Sequence, residues 1–184
     1  MIRKYFIVIA FLSLSKLLAG QANTFNIITR DVRNFWEAVD SLQSGKDTIG
    51  LFQRLVIDRA SGPFNIFIKK WKIKAGDYAY QLRNYPRFYQ TLRQQSNELL
   101  KSEKLIRELT DHFRQLYPSF KAADICIGFG NFSTGGNIEI TQSGNLVYIG
   151  LEFHGPDSNT FVNELPASIQ DYVSRSNFYR TIIH

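Results

Sequence analysis

The chain has 184 residues, of which 44% are hydrophobic and 21% charged, a balance that excludes a disordered or low-complexity protein. Its 22 basic and 16 acidic residues give a net charge of +6, but no Lys/Arg run is longer than two, so nucleic-acid binding lacks its electrostatic footprint. A single cysteine, Cys126, excludes an internal disulfide framework.

The length suits one domain, and a chain of this size buries roughly 70% of its unfolded surface, enough for a core without covalent staples. The first segment reads as an export signal. Arg3 and Lys4 form a basic start, Tyr5 to Leu14 is a short apolar run, and small residues allow cleavage near Gly20 or Ala22. The run is well short of the ~20 residues that span a bilayer, and Lys16 interrupts its far end. Residues 1–22 are therefore expected to be removed, giving an exported chain (periplasm, cell envelope or extracellular) with no membrane span. No cysteine stands at the cleavage point, so no acyl anchor is expected. The signal holds three basic residues and no acidic ones, which leaves 19 basic against 16 acidic and a modest +3.

Residues 23–184 read as a single α+β domain, with a helical part over about 27–117, a sheet part over about 122–154 and helices over about 164–184. Val32, Phe35, Trp36, Val39 and Leu42 recur at helical spacing, with Asp31 placed to cap them. After Gly45-Lys46-Asp47, a second helix begins at Ile49. Ser61-Gly62-Pro63 is a turn whose proline opens the next segment. Phe64 to Ile73 fits helix or strand, with helix favoured. Tyr85, Phe88, Tyr89, Leu92, Leu99 and Leu100 form another helical stripe, and Leu105, Ile106, Leu109, Phe113 and Leu116 a further one that stops before Pro118. The charged residues between these stripes, Arg87, Arg93, Lys101 and Arg107 among them, read as a solvated face.

Beyond Pro118 the period becomes two. Ile125, Ile127 and Phe129 alternate with Cys126 and Gly128, and Ile138 and Ile140 with Glu139 and Thr141. Gln142-Ser143-Gly144-Asn145 then turns the chain into Leu146 to Leu151. This predicts a strand followed by a hairpin. A polar loop over His154–Asn159 leads to a helix from about Pro166. The order is helices, a small sheet, then helix, without βαβ alternation or internal repeat.

No complete catalytic set emerges from these residues. The glycines from Gly128 to Gly136 lack both the dinucleotide fingerprint, which needs glycine where Ser133 stands, and the Gly-Lys-Ser/Thr of a nucleotide loop. They read as an inter-strand loop. His112, His154 and His184 show no metal-ligand spacing among themselves or with Cys126. His112 reads as an exposed helical residue, His154 as a turn residue and Cys126 as core. No Gly-x-Ser-x-Gly elbow exists. His184 stands apart, because a hairpin, a loop and an apolar half-helix (Phe178, Tyr179, Ile182, Ile183) lead to it, the order in which a zincin sheet meets its active-site helix.

Three stretches resemble a known family, the predicted zinc-dependent proteases of unknown function related to the gliding-motility lipoprotein B. They are Asp31 to Asp40 with Ile57 to Pro63, Ala123 to Ile127 leading to Gly135-Gly136, and Asn145 to Gly155 followed by the proline-led helix and the approach to His184. In family members that approach continues into His-Glu-x-x-His, whose histidines bind zinc while the glutamate acts on the metal-bound water. The resemblance implies an exported zinc-metallopeptidase-like protein acting on a peptide or protein substrate. His184 would be the candidate metal ligand, or the residue just before the first ligand. The remaining glutamate, histidine and third ligand are not among these 184 residues, so the fragment alone is expected to hold no zinc and to be inactive. The alternative is a non-catalytic cell-envelope binding or assembly protein that uses its aromatic-rich helices as an interface. A lipid or small-ligand binder is a third option that the residues neither favour nor exclude.

Overall fold

The computed structural model describes residues 25–42, 47–176 and 178. The expected signal segment and His184 lie outside them. The described chain is α+β, as its periodicities predict. Strand β1 (Ile27–Ile28) comes first, followed by helices α1 (Arg30–Asp40), α2 (Thr48–Phe52, continuing as a π-turn through Gln53–Ile57), α3 (Gly62–Trp71), α4 (Ala75–Asn84), α5 (Pro86–Leu100) and α6 (Glu103–Leu116). The sheet strands β2 (Asp124–Gly128), β3 (Gly136–Thr141) and β4 (Gly144–Gly150) come next. The short helix α7 (Leu151–His154) and helix α8 (Ala167–Arg175) close the described chain.

The strands lie in the order β1-β2-β4-β3. The predicted hairpin is β3 against β4, antiparallel, with Ile138 opposite Val147. Strand β4 then runs parallel to β2, and β2 parallel to β1. Ile27 and Ile28, at the edge of the range expected to be helical, are thus an edge strand. A strand of two residues carries too little alternation to show in a sequence.

One sheet face packs on the helices. Cys126 and Tyr148 point to it, and the Tyr148 ring lies 4.8 Å from Phe67 and 5.9 Å from Phe64, both of α3. Gly128 lets the Phe64 ring come close, since a Cβ there would stand 3.0 Å from it. Phe64 to Trp71, ambiguous in sequence, is helical because Pro63 sets its first turn and Ser61 caps it, the hydroxyl accepting the Phe64 N–H at 3.1 Å. Phe35 of α1 stacks on Phe129 at 4.1 Å and meets Trp36 edge-on at 5.0 Å. The Trp36 indole donates to Ser96 Oγ at 2.8 Å, which fixes α1 to α5. Burial of each such ring is worth about 1.5–3 kcal/mol.

Asp31 does not cap α1. Thr29 holds the N-cap position without a side-chain bond, and Asp31, in the first turn, is buried and accepts from the Ser61 N–H (2.8 Å) and hydroxyl (2.6 Å). The cap-type residue serves a tertiary tie because the start of α3 offers two donors at its position. The charged face between the helical stripes is solvated, as expected, and its cations have partners at the surface. Arg93 makes a two-pronged pair with Asp40 at 2.5 and 2.7 Å, Arg107 pairs with Glu103, and Arg87 lies over the Phe161 ring at 3.7 Å.

Candidate functional site

The opposite face of the sheet is the one that stays open. Side chains at Ile125, Val147 and Ile138 share it through their cross-strand register. They floor a groove of about 870 Å³. Phe25, Thr110 and Phe120 form one wall, and Ser168, Tyr172 and Arg175 of α8 form another. Its outer border is β3, an edge strand with Ile138 62% and Ile140 87% exposed. The backbone groups along an edge strand form a template onto which another extended segment can add.

Two tyrosine- and histidine-bearing elements meet at one end of the groove. His154 of α7 lies edge-on to Tyr172 of α8, ring centroids 6.1 Å apart. Gly135 backs both, and a Cβ there would stand 2.8 Å from the Tyr172 hydroxyl and 3.0 Å from His154 Nε2. Burial lowers the His154 pKa from its ordinary value, and a backbone hydrogen bond with Gly135 pulls it partly back. The imidazole is thus neutral near pH 7, able to give or take one hydrogen bond in the groove wall. The sequence pointed to a turn at His154. In the structure β4 ends at Gly150 and Leu151–His154 make one buried helical turn, with His154 only 8% exposed. A helix this short gives no periodic signal.

The other singled-out residues stay apart from the groove's polar end. His112 is exposed on α6, as expected. Cys126 is fully buried, and burial drives its thiol far above the usual range, so it is core and no nucleophile. The glycine-rich segment joins β2 to β3 as an inter-strand loop, with Asn131 and Phe132 both in left-handed backbone at φ 54°. Among the described residues no group of three or more His, Cys, Asp or Glu side chains could hold a metal ion. His184, the ligand that the resemblance implies, lies outside the described residues.

Sequence reasoning missed Glu152 altogether. It is 0% exposed, and neither carboxylate oxygen has a hydrogen-bond partner. Burial pushes its carboxyl up to about 7, and the nearby backbone amides of Glu152 itself, Asn131, Phe132 and Gly130 moderate the rise without reaching full hydrogen-bond geometry. The available signal was a lone acid inside the apolar run Tyr148 to Phe153. Among the described residues no helix is long and apolar enough to cross a membrane. Searches of protein-family models, curated proteins and solved structures find no match to this chain.

Proposed function

We propose that the chain is the scaffold of an exported zinc-metallopeptidase-like protein, and that the groove receives an extended peptide alongside β3. The observation that carries this reading is the groove itself, an apolar channel of about 870 Å³ beside an edge strand with two exposed isoleucines. An extended chain laid there gains main-chain hydrogen bonds from β3 and side-chain contact with Ile138 and Ile140. The resemblance of Asn145 to Gly155 and of the approach to His184 adds the metal. In this reading His184 is the first zinc ligand or its neighbour, and the glutamate and second histidine follow it.

Reading the coding DNA beyond codon 184 is the first test. Codons completing His-Glu-x-x-His support the reading, and a stop codon removes its ligand set. The second test is the zinc content of the chain so encoded. One zinc per chain, lost together with peptide cleavage in His184→Ala or in a variant of the next histidine, is the expected result. A metal-free protein with the same fold overturns it.

A second reading, a non-catalytic cell-envelope binding protein, is favoured by one feature: the groove is lined by described residues, with Ile125, Ile138 and Val147 on its floor. Peptide binding that survives chelation, without hydrolysis at any zinc concentration, distinguishes it.

A further inference from the structure

Behind the groove, loop 129–135 covers a cluster of buried polar atoms. Glu152 Oε1 and Oε2, the Tyr89 and Tyr148 hydroxyls and both side-chain polar atoms of Asn131 are buried without hydrogen-bond partners. They converge on one place. A Cβ at Gly130 would stand 2.6 Å from the Tyr148 hydroxyl, and one at Gly150 would stand 2.6 Å from the Thr134 carbonyl and 3.5 Å from Glu152 Oε2. Most buried polar groups in folded proteins are paired, so such a cluster needs a reason.

The groups facing Glu152 are Tyr78 of α4, Tyr89 of α5, Tyr148 of β4 and the loop amides. The tyrosines are neutral, since burial followed by the Glu152 charge pushes each hydroxyl well above its usual range. His154, two residues on, is held neutral, and the nearest other acids, Asp31 and Asp77, act on Tyr78. Among the described residues no Lys or Arg pairs with Glu152. A carboxylate ionised here is a buried charge without a counterion, which proteins avoid by neutralising the group or by admitting water.

Loop 129–135 is irregular backbone on one side of this site. The loop closes over it by holding Asn131 and Phe132 in left-handed conformation, and Phe132 seats against Phe88 and Phe153 at 5.6 and 5.4 Å. Left-handed backbone is costly for phenylalanine and persists only while the surroundings enforce it.

We propose that Glu152 is a proton-operated latch: protonated, it lets loop 129–135 close, and ionised, it draws the loop open to water. The loop runs directly into β3, so opening it loosens the edge of the groove. This inference does not depend on the peptidase reading. Closed, the carboxyl titrates at about 7 against an ordinary 4.5. The closed state therefore keeps its proton where the open state has lost it. Closure is fully favoured below 4.5 and weakens as pH rises to about 7.

Hydrogen exchange of the full chain, corrected for intrinsic chemistry, tests this. Amides 130–135 are expected to open up to about tenfold more per pH unit between 4.5 and 7, levelling off above. In Glu152→Gln the profile is expected to be flat. The same rise in the variant, or none in the wild type, overturns the proposal. Should the variant not fold, infrared titration of the wild type in D2O decides. A protonated carboxyl band persisting at about pH 6 is expected, and its absence there overturns the latch.

Discussion

Ser61 shows how much one small side chain settles in this fold. Its hydroxyl donates to Asp31 at 2.6 Å and accepts the Phe64 N–H at 3.1 Å, so it caps α3 and satisfies a buried carboxylate at once. Burial pushes Asp31 up and the Ser61 bonds pull it part of the way back. Ser61→Ala removes the cap, worth about 1 kcal/mol, and one of two donors to a buried acid, worth about 1–3 kcal/mol more. The expected loss is about 2–4 kcal/mol, read as a lower urea midpoint with an unchanged slope. A loss under about 0.5 kcal/mol would show that water replaces the hydroxyl. The turn at Ser61-Gly62-Pro63 was legible because serine before proline marks a helix start. The tie to Asp31 was not, because thirty residues separate the partners and a capping-type acid looks the same whether it serves its own helix or another.

At the level of elements, legibility followed length. Helices α1, α5 and α6 and the β3–β4 hairpin each repeat their period several times, and each was found. The parallel β2–β4 pairing was not, because nothing local records that β4 returns past β3 to lie beside β2. The close approach that this topology forces is visible at Gly150, the end of β4, whose N–H bonds the Gly135 carbonyl at 2.9 Å. Gly150→Ala drives a Cβ to within 2.6 Å of the Thr134 backbone carbonyl, which cannot move without disturbing loop 129–135. Overpacking against backbone is expected to cost about 1–3 kcal/mol. Gly76, in the first turn of α4, is the control, with nothing within 4 Å of its would-be Cβ. Gly76→Ala is expected to gain about 0.5–1 kcal/mol by limiting the unfolded chain and improving helix propensity. Opposite signs in matched denaturation curves check both.

For the molecule as a whole, α1 and α3 pack against one face of the sheet, where most of the aromatic residues are buried, while α6 and α8 flank the other. On the flanked face the edge strand offers apolar surface, with Ile138 and Ile140 exposed beside half-buried Val147. Exposed isoleucines on an edge strand are an aggregation hazard that natural sheets usually blunt with lysine, so their presence favours use of this edge. The paired substitution Ile138→Lys with Ile140→Lys tests that. Both side chains already face solvent, so stability should change by less than about 0.5 kcal/mol for each. Binding of an apolar fluorescent dye, of an extended apolar peptide and of a second copy of the chain should all fall by about tenfold or more, because two charges would have to be desolvated at the groove border. Unchanged dye and peptide binding at unchanged stability would move the binding surface off β3, while a large stability loss would mean that the two isoleucines are covered in solution.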